Sequence, residues 1–235
     1  MCRFPKRNEA PDFNTFSSLL RMTAKYEMPD VRSQLLEVVR NAYPETFGGV
    51  TPTRAFGETA FNGPTPHPNE VLNLFVQQKL TSALPMAYYM AAQRGLNSLM
   101  DRRLPKSATL PPEVLQSSIE GLMALREMER EGIHRLIFER DGFGPCSTQN
   151  CLSHTPTTPT ALEAYKKVFD HIVAGSSQRG TKVLQVPGFY RNQEGEIQRV
   201  FPDFCRICVN GWNSGHANLR QKAWASLPVV FGLNT

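Results

Sequence analysis

The sequence has no long apolar run. Nowhere in its 235 residues do roughly 18 uncharged apolar residues follow one another, the length a helix needs to span a bilayer. The opening MCRFPKRNEA lacks the apolar core of a signal peptide, so a soluble intracellular protein, of cytoplasm or nucleus, is expected. No run of five like charges occurs: 26 basic and 21 acidic residues are spread over the whole length and leave a net charge of +5. That pattern excludes a basic arm of the kind that coats nucleic acid. DGFG, with Gly142 and Gly144, is not followed by the Gly-Lys-Ser/Thr of a phosphate loop. No local motif assembles a nucleophile, a base and an orienting group, so no catalytic residue is named and an enzyme is not expected. Internal repeats and low-complexity tracts are absent as well. Cysteine is scarce, with five in the chain.

What is present is helical periodicity, near 3.6 residues in every strong segment, which predicts a mainly α fold: an irregular helical array with at most a short β-hairpin. Asp12 is placed to cap a helix whose face is Phe13, Phe16, Leu20 and Ala24. Pro29 or Asp30 starts a second, with Val31, Leu35, Val38 and Ala42 on its stripe, so residues 12–43 read as a helical hairpin. Residues 44–68 are crowded with Pro, Gly and Thr and read as a linker or surface loop, pinned by Phe47, Phe56 and Phe61. Residues 69–138 form the expected central helical lobe. Its first helices are apolar around most of their circumference; its last has Leu115, Ile119, Leu122 and Leu125 on one face and Gly132 as a break. Residues 139–235 form a C-terminal lobe with an amphipathic helix from Thr158 and Pro159, a hairpin of KVLQV with EIQRV, and a last helix from about Asp203.

Four of the five cysteines fall into two pairs. GPCSTQNCLSH holds Cys146 and Cys151, FCRIC holds Cys205 and Cys208, and 53 residues separate the pairs. In a reducing compartment paired thiols are metal ligands more often than disulfides. Two residues between Cys205 and Cys208 let one turn present both sulfurs to one ion, at roughly 2.3 Å each for zinc. Cys205, Cys208, Trp212, Leu219 and Ala223 share a helical face, which turns both thiols toward an interior. The expected site is one structural Zn2+ held by Cys146, Cys151, Cys205 and Cys208, stapling the C-terminal lobe. His154, three residues after Cys151, is an alternative fourth ligand, and the alternative for all four cysteines is ordinary buried or loop thiols. Four thiolates leave no open position for water, so the site is structural.

The hairpin LLRMTAKYEMPDVRSQLLEVV, residues 19 to 39, resembles the closing helical pair of a BTB (POZ) domain. The blocks from AYPETF through PHPNEVLNLF, LTSALPMAYYMAAQRGL and LPPEVLQSSIEGLMALRE to the cysteine pairs are similar to the helical region that follows the BTB domain in proteins of mushroom-forming fungi. The resemblance covers nearly the whole chain. It implies a protein-interaction role, as scaffold or adaptor, and no catalytic residues. The strands and first helices of a BTB core are not represented by the eleven residues before Asp12. The chain is thus similar to the C-terminal part of such a protein, or to a shortened member, and a monomer with an unidentified protein partner is expected.

A second reading is a zinc-dependent nucleic-acid-binding or transcription-associated protein, in which Arg179, Lys182, Arg191 and Arg199 meet phosphate. Those four are dispersed around Glu194 and Glu196, which argues against a focused patch. His134 and His171 lie beside apolar helical stripes and read as structural histidines. His67, between prolines at a helix start, is expected to be exposed. His216 is eight residues past Cys208, about 12 Å along a helix, too far to share its ion. Tyr88 and Tyr89 are expected in the core, and RRLPK is expected to be a solvated face.

Overall fold

A helix begins where the chain can satisfy its own first amides. In the computed structural model, which describes residues 11–47, 61–101, 103–136 and 206–233, helix α1 spans Phe13–Lys25 with Asp12 as its cap. One Asp12 carboxylate oxygen accepts from the Thr15 N–H at 3.0 Å and the other from the Thr15 hydroxyl at 2.6 Å. These bonds hold the Asp12 carboxyl below the usual range. The buried residues of α1 are Phe16, Ser17, Leu20 and Thr23. Thr23, not the expected Ala24, closes the stripe, because its hydroxyl donates to the Leu20 carbonyl at 2.8 Å and so enters the interior satisfied. Helix α2 spans Pro29–Ala42 and starts on Pro29, whose missing N–H costs nothing in a first turn.

The regular structure of the described residues is helical, with one isolated parallel bridge between Asp12 and Asn62. After α1 and α2 come α3 (Pro68–Gln77), α4 (Leu84–Gln93), the single turn α5 (Leu96–Leu99), a 3-10 turn over Lys106–Ala108, α6 (Pro112–His134) and α7 (Arg206–Val230). The chain divides into two compact units, Met1–Ile119 with Leu227–Thr235, and Glu120–Ser226. The expected hairpin and the helix from Thr158 lie outside the described residues.

In the first unit α3 is the central element, with Val71, Leu72, Leu74 and Phe75 all buried. Burying side chains of this size contributes roughly 1.5–3 kcal/mol each. Tyr43, after α2, meets Phe75 edge to face at 4.9 Å. Phe61 packs against Phe13 and Phe16, each at 5.1 Å, and the Asn62 N–H donates to the Pro11 carbonyl at 3.2 Å. Phe61 thus pins the far end of the loop; Phe47 is half-buried, and Phe56 lies outside the described residues. On α4, Met86, Tyr88, Tyr89, Ala91 and Ala92 are buried, as the all-round apolar pattern leads one to expect. Tyr88 stacks on Phe231 at 5.1 Å.

Polar clamps hold the segment after α5. Asn73, buried on α3, donates from Nδ2 to the carbonyls of Ser107 and Thr109, both at 2.8 Å. Glu70, one turn earlier, accepts from the Ser107 hydroxyl at 2.5 Å. Two helices end in the same tight way. The Leu80 N–H donates to the Phe75 carbonyl at 3.0 Å around a left-handed Lys79, φ 52°, and Leu233 donates to Pro228 at 2.7 Å around Gly232, φ 65°.

Helix α6 buries Val114, Ser118, Leu122, Leu125, Glu129 and Ile133. The expected Leu115 and Ile119 are only half-buried. Ser118 makes the difference, donating to the Val114 carbonyl at 2.7 Å and so packing as a nearly apolar residue. The helix runs through Gly132 without a break. In the second unit, a Cβ at Gly132 would stand 2.3 Å from Leu219 Cδ1, so the missing side chain is what lets α7 approach.

Candidate metal centre

Of the cysteines that the spacing singles out, Cys208 lies among the described residues; Cys146, Cys151, Cys205 and the alternative ligand His154 do not. Helix α7 positions Cys208 as its third residue, and Cys205 directly precedes the helix in sequence. Cys208 is not in a disulfide, and 1 % of its surface is exposed. It shares a face with Leu219 and Ala223, both buried, as the helical spacing predicts.

Two forces act on a thiol in this place. The unpaired amides of a helix's first turn favour the thiolate, while burial in apolar surroundings favours the neutral thiol and makes it inert. A metal ion tips that balance toward the thiolate, because its charge stabilises the ionised sulfur. Cys208 therefore fits a zinc ligand: soft, buried and at a helix N-terminus. Among the described residues no three His, Cys, Asp or Glu side chains converge on a metal position, and the expected set has Cys208 alone inside them.

The histidines separate clearly. His216 lies on the same unbroken α7, so the eight residues from Cys208 hold the two about 12 Å apart. It is 6 % exposed, and burial, helped by the Arg220 guanidinium, pushes its pKa down to about 4. The imidazole is neutral at physiological pH. His134 is exposed on α6, and His171 lies outside the described residues. His67 is half-buried, against the expectation that it would be exposed, because it serves as the N-cap of α3. Arg103 and Lys106 of the RRLPK stretch are solvated as expected, with Arg103 paired to Asp101 at 3.0 Å.

Sequence reasoning missed the buried ionisable residues of the second unit. Glu129, His216 and Arg220 are 7 %, 6 % and 8 % exposed. Their signal lay in spacing: Glu129 falls between Leu125 and Ile133 on the α6 stripe, and His216 and Arg220 flank Leu219 on α7.

Comparison with known proteins finds no matching family model, no similar curated protein and no similar solved structure. Among the described residues no helix is long and apolar enough to cross a membrane.

Proposed function

We propose that this chain is a non-enzymatic protein-interaction protein, a scaffold or adaptor related to BTB-domain proteins, with one structural zinc held by Cys146, Cys151, Cys205 and Cys208. The observation that carries the zinc is Cys208, sealed from water in the first turn of a 25-residue helix, where a thiolate is best stabilised. When bound, zinc supplies cross-linking and no open coordination position. Cys208 fixes one end of that cross-link on α7, where its side chain is 1 % exposed.

The interaction reading rests on the resemblance of residues 19 to 39, and of the helical blocks that follow, to BTB-associated sequence. The turn joining α1 to α2 adds support. Met22, Tyr26 and Met28 stand 49 %, 60 % and 40 % exposed there, three large apolar side chains left in water within seven residues.

Zinc content after purification in reductant tests the first part: about one zinc per chain is expected, falling to near none in Cys208→Ser. A folded protein with far less than one zinc per chain refutes the site, and loss of zinc in His154→Ala would make His154 the fourth ligand. Light scattering on the same sample is expected to give the monomer mass. Affinity capture from the native cell with mass spectrometry tests the role. Recovery of a cullin or a transcription complex would fix the class, whereas salt-tolerant, sequence-selective nucleic-acid binding would overturn the adaptor reading.

A further inference from the structure

The His67 side chain joins the start of α3 to α5. Its ring Nδ1 accepts from the Asn69 N–H at 3.3 Å and caps α3. Its own N–H donates to Glu70 Oε2 at 3.3 Å, completing a reciprocal box at the helix start. The other ring nitrogen, Nε2, is 3.3 Å from the Ser98 hydroxyl on α5. Because Nδ1 must accept, the ring is the neutral tautomer with its proton on Nε2, and Nε2 donates to Ser98. Glu70 in turn takes the Ser107 hydroxyl, so the cap, α5 and the 3-10 turn form one connected set.

Histidine is a rare choice for an N-cap. Serine, threonine, aspartate and asparagine do the same work without titrating near neutrality. Protonation at Nδ1 converts the acceptor into a donor and points it at another donor, the Asn69 N–H. The cap cannot survive that change, and the ring that leaves takes its bond to Ser98 with it. The charged groups around the ring are Arg94 at the end of α4, Glu70 on α3 and Asp101 after α5. Arg94 opposes the proton and the two carboxylates favour it; burial is the largest influence, and the net effect is to lower the pKa.

We propose that His67 is a proton-operated latch, which when neutral caps α3 and holds α5, and when protonated frees α5, Leu96–Leu99, from the start of α3, while the Asn73 clamp keeps Ser107 and Thr109 in place. The device is acid-released: closed at and above neutrality, opening as pH falls below the ordinary histidine range.

Hydrogen exchange read by NMR tests it on the full chain. The amides of Asn69, Glu70 and Val71, and those of Ser98 to Met100, are expected to lose protection by about fivefold between pH 7 and pH 5 after correction for intrinsic rates, the size of one N-cap. The amides of α2 serve as an internal control. His67→Asn keeps a capping oxygen and removes the titration, so it is expected to fold and to abolish the pH dependence. Equal loss of protection in His67→Asn, or none in the parent, overturns the latch. Nitrogen-15 shifts showing the Nδ1–H tautomer at pH 7 would overturn it independently.

Discussion

Gly132→Ala probes the packing of the second unit most directly. A Cβ at that position meets Leu219 Cδ1 at 2.3 Å, Cδ2 at 2.7 Å and Cγ at 3.0 Å. On an open helix the same change stabilises by roughly 1 kcal/mol, because glycine loses more backbone entropy on folding. Here Leu219 must move, and with its Cγ in the way as well as both methyls, rotation about its outer torsion does not clear the space. Overpacking of this kind costs about 1–3 kcal/mol, so the net outcome is a loss of up to about 2 kcal/mol. Leu219→Ala alone removes a buried side chain and is expected to cost about 2–4 kcal/mol. In the double variant the methyl added at position 132 enters the space vacated at 219. The pair should therefore be more stable than the two single losses predict, by about 1–3 kcal/mol. Urea unfolding followed by tryptophan fluorescence reads this selectively, because both tryptophans, Trp212 and Trp224, belong to α7. Additivity within about 0.5 kcal/mol would refute the contact.

The left-handed Lys79, φ 52°, carries a Cβ in a conformation that favours glycine, so Lys79→Gly is expected to stabilise the first unit by about 0.5–1 kcal/mol, read as a higher urea midpoint by circular dichroism. Asn73→Ala removes two buried-side hydrogen bonds of 2.8 Å and is expected to cost about 2 kcal/mol, with Asn73→Asp worse at pH 7 because a carboxylate would face two carbonyls; a neutral outcome for both argues against the clamp. For His216 the sign follows from a folded pKa of about 4 against 6.5 unfolded: the unfolded chain takes the proton first, so stability is lost as pH falls from about 6.5 toward 4. At pH 5 the loss is about 2 kcal/mol relative to pH 7, and His216→Gln should remove that share of the pH slope in the tryptophan signal; parallel slopes for parent and variant would contradict it.

The parts of the fold that sequence made legible are those governed by local chemistry. Asp12 and Pro29 announce their helices because a cap and a first-turn proline act within four residues. The all-round burial of α4 follows from its lack of any polar face. The two displaced stripes share one cause. Thr23 and Ser118 are polar and stand outside the apolar pattern, yet each returns its hydroxyl to its own helix's backbone and packs inward, rotating the stripe away from Ala24 and Leu115. Gly132 looked like a break because its use, room for Leu219, involves a residue far along the chain. At the candidate site, the inward orientation of Cys208 was legible from helical spacing. The burial of His216 was not, because it had been weighed only by its distance to a cysteine.

Phe231 completes the first unit from a place in the chain far from the rest of it. Tyr88 has its stacking partner only once Phe231 is present, and Leu227 joins the same unit. Between Ile119 and Leu227 a ribosome must add the 107 residues of the second unit. At about 5–20 residues per second this takes roughly 5–20 s, during which the nascent first unit holds an open aromatic face. Domains usually mature in the order in which they are made. Here Met1–Ile119 waits for Leu227–Thr235, and the inserted unit has the opportunity to fold before the one that encloses it in sequence.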